Sequence, residues 1–135
     1  DVYKDDQLIY RNVDFNTYGF LNATEDFIEN HADLAQAVVD AYEQAREWAL
    51  ENPDETAALL AEVAGIDIEV AKTVITERSN LDVSGIPGDD QVAVLEKIAP
   101  VLVDSGDVQG GEDSVDKALD SIVNATFAEK AVGGE

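Results

Sequence analysis

The sequence predicts a predominantly α-helical chain with one or two short strands toward its N-terminal end. Three observations carry that expectation. From Ala32 onward apolar residues return every three or four positions, the period of a helix with one apolar face. Capping residues and glycine stops punctuate that pattern repeatedly. Ahead of it, residues 18–22 (Tyr-Gly-Phe-Leu-Asn) are aromatic and apolar over a length too short for a stable helix.

In chain order, residues 1–6 are polar and acidic, and residues 7–13 contain β-formers that alternate poorly, a short strand or an extended arm. Residues 14–17 read as a turn. Residues 18–22 read as a strand, with Gly19 marking a bend or close backbone approach. Thr24 is an N-cap for a short helix carrying Phe27 and Ile28. The strongest element runs from Ala32 to Glu51. Leu34, Val38, Ala41, Ala45 and Trp48 form its apolar stripe, with Tyr42 beside it, and Gln36, Asp40, Glu43, Gln44, Glu47 and Glu51 form the wet side. The expectation is that the stripe, Trp48 and Tyr42 included, packs inward.

At Asn52 the chain restarts: Asn52 as cap, Pro53 at the first helical position and Glu55 where a capping-box acid belongs. That helix presents Leu59, Leu60, Val63 and Ala64 and stops at Gly65. Asp67 caps a third helix with Val70, Ala71, Val74 and Ile75 inside. Residues 79–88 form a link with two glycines and Pro87. A further helix opens at Asp89 or Asp90 and runs through Val92, Leu95, Ile98, Ala99, Leu102 and Val103, with Pro100 loosening it near Glu96, before Ser105 and Gly106 end it. After an acidic loop over residues 107–113, Val115, Ala118, Leu119 and Ile122 mark the last amphipathic helix. Residues 124–127 cap a final short turn, and residues 133–135 read as a frayed tail. No apolar residue set recurs at a period near 34 or 40 residues, so no solenoid is expected.

Charge limits the function classes. Thirty acidic residues against eight basic ones give a formal net charge of −22 in 135 residues. The basic residues are scattered singly, so phosphate-directed nucleic-acid binding lacks its basic patch, and an anionic membrane surface repels the chain. The acidity reads first as a solvated, self-repelling surface. With no Cys there is neither a disulfide nor a thiolate site or nucleophile. No apolar run approaches the roughly 20 residues of a membrane span, and no signal peptide is recognisable. The chain has no Met and starts at Asp1, and is expected to be a processed protein or a piece of a larger one.

Few residues invite a chemical role. His31, the single histidine, lies at a helix boundary without an evident partner, so a boundary role outweighs a catalytic or metal-binding one. The acidic groups Asp89/Asp90, Asp104/Asp107 and Glu112/Asp113 do not match calcium-loop spacing. Asn22-Ala23-Thr24 and Asn124-Ala125-Thr126 have the form of glycan acceptors, but in each the Thr is explained as a cap. Asn16 and Tyr18 stand apart, an amide and a phenol at the entry to the expected strand, where they can face a cleft. No catalytic residue, metal site or cofactor is expected.

The run Phe20-Leu21-Asn22-Ala23-Thr24-Glu25-Asp26-Phe27, followed by Asn30-His31-Ala32-Asp33-Leu34, resembles the "FLVAS-x-x-F-x-x-x-H-P-x-L" signature of extracytoplasmic solute-binding proteins of ABC importers. The nearest group is the nitrate/sulfonate/taurine type, which includes thiamine-precursor binders. The likeness continues through Ala49-Leu50-Glu51-Asn52-Pro53-Asp54-Glu55-Thr56-Ala57 and covers roughly residues 18–128. Asn22 stands where a small or β-branched residue is usual, and Ala32 where proline is usual.

The resemblance implies the C-terminal portion of an α/β type II periplasmic-binding-protein fold, two lobes closing on a small organic anion. Residues 1–17 would be the tail of the second lobe and the entry to the hinge, 18–23 the hinge strand, and 24–135 a helical part packed on the first lobe. Asn16 and Tyr18 would contact ligand. The partners implied are a small-molecule ligand, the permease subunits, the missing N-terminal part of the same protein and, for the fragment alone, other copies of itself. The location implied is extracytoplasmic, in the periplasm or as a cell-surface lipoprotein. The alternative is a standalone acidic helical protein-interaction domain. An enzyme akin to thiamine-pyrimidine synthases is the remote rival, lacking the histidine and cysteine set it would need.

Overall fold

The computed structural model describes residues 18–108 and 110–133, and every regular element among them is helical. The elements are α1 (Glu25–Asn30), α2 (Ala32–Glu51), α3 (Pro53–Ala64), α4 (Ile68–Thr73) continued by a wide π-type turn (Val74–Arg78), α5 (Asp89–Ser105), α6 (Gly111–Leu119) and α7 (Thr126–Gly133). The predominantly α expectation is met. The strand expected over residues 18–22 does not form: this segment has no regular structure. A strand is held by hydrogen bonds to a neighbouring edge, and no described residue supplies one. The arm or strand expected at residues 7–13, and the tail at 134–135, lie outside the described residues. No helix among the described residues is long and apolar enough to cross a membrane.

The chain separates into two compact units. Among the described residues, one unit holds α1 to α4, the following link and α7. The other holds residues 18–21, α5 and α6.

Local signals set most boundaries in the first unit. Thr24 Oγ1 accepts the Phe27 amide at 3.2 Å and starts α1. His31 separates α1 from α2 with a non-helical backbone, its amide donating to Phe27 O at 2.8 Å. Asp67 caps α4 by accepting from the Glu69 amide at 2.9 Å. Gly65 ends α3 at φ +65°, a conformation that costs a residue with a Cβ about 1 kcal/mol or more.

One junction differs from expectation. Pro53 does open α3, but the Asn52 side chain turns back and donates to Trp48 O at 2.8 Å, satisfying an end carbonyl of α2. No side-chain cap bond reaches the α3 N-terminus, and the capping-box role expected of Glu55 is not realised. Thr56 Oγ1 instead donates to Asn52 O at 2.8 Å and helps brace the turn.

In the second unit Gly88 precedes α5, its amide donating to Gln91 Oε1 at 2.8 Å. The helix continues through Pro100 to Gly106, which ends it at φ +77°. Pro100 has no N–H, so the Glu96 carbonyl loses its usual helical donor while the helix persists around it. α6 begins at Gly111, earlier than expected, and stops at Leu119. Ile122 therefore lies beyond it and is exposed. The closing turn expected near residue 126 is a full helix, α7, preceded by an Asn124 side chain that accepts from the Thr126 amide at 3.1 Å. At this second Asn-x-Thr triplet the turn-forming side chain is thus Asn124 and not the threonine.

Burial falls on small residues. Among the described residues Ala35, Ala57 and Ala71 are the buried apolar ones, the last two fully. Leu59, Val63 and Val70, expected inside α3 and α4, are exposed, whereas Leu60, Val74 and Ile75 are partly covered. In α5, Ile98 and Leu102 are exposed while Val92, Leu95, Ala99 and Val103 are partly covered. Alanine at a helix contact lets backbones approach closely, and the larger aliphatic residues then project away from it.

Candidate functional site

The most informative element is α2, because its expected core stripe is exposed while part of its expected wet side is covered. Leu34, Val38, Ala41, Tyr42, Ala45 and Trp48 are all exposed, Tyr42 at 61% and Trp48 at 44%. Of the residues expected on the wet side, Glu43 is buried at 9% exposure and Gln36 and Asp40 are partly covered, whereas Gln44, Glu47 and Glu51 are exposed as expected. The inward packing expected of Trp48 and Tyr42 is overturned.

The reason lies in what docks on the polar face. Gln36 Nε2 donates to Phe127 O of α7 at 2.9 Å and to Asp40 Oδ1 at 2.8 Å. Farther along, Glu43 and Arg46 form a two-pronged ion pair, with Arg46 Nε to Glu43 Oε2 at 2.8 Å and Nη2 to Oε1 closing the second prong. The remaining Arg46 nitrogen, Nη1, donates to Leu81 O at 2.9 Å and holds the link after α4. Gly85 from the same link lies against the Glu43 carboxylate: a Cβ there would stand 2.7 Å from Oε2, with Val132 of α7 nearby at 3.8 Å. The Arg46 hydrogen bonds hold the Glu43 carboxyl below the usual carboxylate range although burial opposes this. Burial of the charge is tolerated because the guanidinium neutralises it and satisfies both oxygens.

The opposite face is uncharged. Leu34, Val38, Ala41, Ala45 and Trp48 follow alternating steps of four and three, the spacing of a coiled-coil seam. They span 15 residues, about 21 Å of helix from first to last. At 100° per residue, the six exposed apolar residues occupy an arc of about 120°. The two alanines leave a shallow centre between the larger ends Leu34 and Trp48.

The residues singled out for ligand contact are not assembled into a pocket. Asn16 lies outside the described residues. Tyr18 is half-buried in the unstructured lead-in, its ring tilted against Phe20 with centroids 6.2 Å apart. His31 keeps its boundary role: it joins α1 and α2, is exposed, and tilts against Phe27 at 5.4 Å. Among the described residues no cluster of His, Cys, Asp or Glu is arranged to hold a metal. A shallow groove between α5 and α6 is lined by Pro100, Val103, Val115 and Leu119, with Glu96 and Asp116 beside them.

Sequence reasoning recognised the stripe but assigned it to the core. The missed signal is Arg46, the one cation on α2. Three residues after Glu43, it marks the charged residue best able to enter the interior. No family model, curated protein or solved structure matches the chain.

Proposed function

We propose that this chain is the C-terminal helical part of the solute-binding component of an ABC importer, a binder and not an enzyme, working outside the cytoplasm. The observation that supports this reading is where the helices break. α1 gives way at Asn30-His31 and α2 restarts at Ala32, then ends at Glu51 before Pro53 opens α3. Those breaks fall within two of the runs that carry the family resemblance, Phe20 to Leu34 and Ala49 to Ala57. The remainder of the protein would complete the lobes, and closure on a small organic anion such as a sulfonate or nitrate-like solute would present a docking-competent form to the permease subunits. Asn16 and Tyr18 are the residues of this chain assigned to the ligand. A net charge of −22 requires that the anion's donors, arginines or helix N-termini, come mainly from elsewhere in the protein.

A thermal-shift screen of a longer polypeptide containing this chain tests the proposal, using sulfonates, taurine, nitrate and pyrimidines. A true ligand at 100 times its Kd adds about 2.7 kcal/mol of stability and raises Tm visibly. A flat profile across all four classes counts against transport.

A second reading, a standalone acidic helical protein-interaction domain, is favoured by the exposed seam of α2. Removal of residues 1–17 separates the two. An unchanged melt supports the standalone domain, and a lowered, broadened melt supports a hinge-side segment that the fold requires.

A further inference from the structure

We propose that the exposed face of α2 is a docking surface for an amphipathic helix with an apolar seam and Lys/Arg-rich flanks, supplied by a separate partner. The inference rests on the second reading, an interaction domain, because the transport reading packs residues 24–135 on another part of the same protein.

Shape argues for a helix. The seam is uncharged over about four turns, its four-three spacing is that of residues received by a facing helix, and Ala41 and Ala45 permit close approach at its centre. Leu34 and Trp48 then fill the space where two crossing helices diverge.

Charge argues for a basic helix. The exposed charged residues of α2 are Asp33, Glu47 and Glu51, all acidic, and Arg46 is already bound to Glu43 and Leu81 O. No basic residue occupies the last turn of α2. Glu47 and Glu51 therefore stand at this end of the helix with no cation from its last turn beside them. A partner cation placed there meets two carboxylates and the exposed Trp48 side chain, an arrangement that combines ion pairing with cation–π attraction. A second copy brings the opposite condition, since each chain carries −22.

Trp48 is the only tryptophan, so its fluorescence reports the seam directly. The probe is an 18-residue synthetic helix with leucines at four-three spacing and lysine flanks, and the control has the same seam with glutamate flanks. Titration of the full chain with the lysine peptide is expected to blue-shift Trp48 saturably, with affinity falling at least tenfold between 50 and 500 mM salt. The glutamate peptide is expected to give no shift. Ala45→Glu, a change at an exposed position, should abolish the response with the helical circular dichroism intact. Glu47→Lys combined with Glu51→Lys should weaken binding of the lysine peptide at least tenfold, with the helical circular dichroism intact. No shift with the lysine peptide overturns the proposal, as does an equal shift with both peptides. A blue shift that grows with protein concentration alone assigns the face to a second copy and overturns it. So does a Trp48 already shielded from acrylamide in a longer polypeptide containing this chain.

Discussion

Replacing Arg46 with Met is expected to destabilise the unit containing α2 by about 2–4 kcal/mol, measured by urea unfolding. Removing one member of a buried ion pair leaves an uncompensated charge, at a typical cost of about 3–5 kcal/mol, and the partial exposure of Arg46 (24%) lowers the figure. The same change releases the Leu81 carbonyl and loosens the link lying over Glu43. Glu43→Gln with Arg46→Met together should cost less than Arg46→Met alone, because the stranded carboxylate is then absent. The pair also predicts an acid limb. The folded-state pKa of Glu43 is depressed relative to the unfolded chain, so its contribution is complete above the unfolded carboxylate range and is lost as pH falls through the lower folded value. Glu43→Gln should flatten that limb. If Arg46→Met unfolds at the wild-type urea midpoint, the ion pair is not what holds the polar face of α2 inward.

The second large effect is expected from Ala71→Leu or Ala57→Leu, each lowering stability by about 1–3 kcal/mol through overpacking at a fully buried alanine. The contrast with Val63, which looks more like a core residue by type, makes the test decisive. At 79% exposure, its truncation to Ala should change stability by less than about 0.5 kcal/mol. Thermal unfolding followed by far-ultraviolet circular dichroism ranks the three variants. A larger loss at Val63 than at Ala71 would place the core on the aliphatic residues and not on the alanines.

These two effects mark where reading from residue types succeeded and where it failed. Thr24, Pro53, Gly65, Asp67 and Gly106 announce helix limits that the structure keeps, because capping and left-handed termination are settled within a few residues of chain. The extent of α2, Ala32–Glu51, is legible for the same reason. The strand at residues 18–22 is not, since pairing depends on a distant edge. The Asn52 side chain is not legible either, because two adjoining helix ends compete for it and the Trp48 carbonyl wins it. The candidate site was legible as a stripe and illegible as a surface.

By itself the sequence determined that this protein is helical from Glu25 onward, where most of its helices begin and end, and that a long uncharged seam runs along α2. Those properties follow from local hydrogen bonding and a 3.6-residue period, which any 20-residue window contains. Only the tertiary structure decided which side of α2 faces inward. A helix with apolar residues on one face and a neutralisable Glu43–Arg46 pair on the other can bury either. The choice depends on what the rest of the chain brings to it: the Leu81 carbonyl, the close-passing Gly85 and the α7 carbonyl that receives Gln36. Together they cover the polar face and leave Leu34, Val38, Tyr42 and Trp48 on the outside.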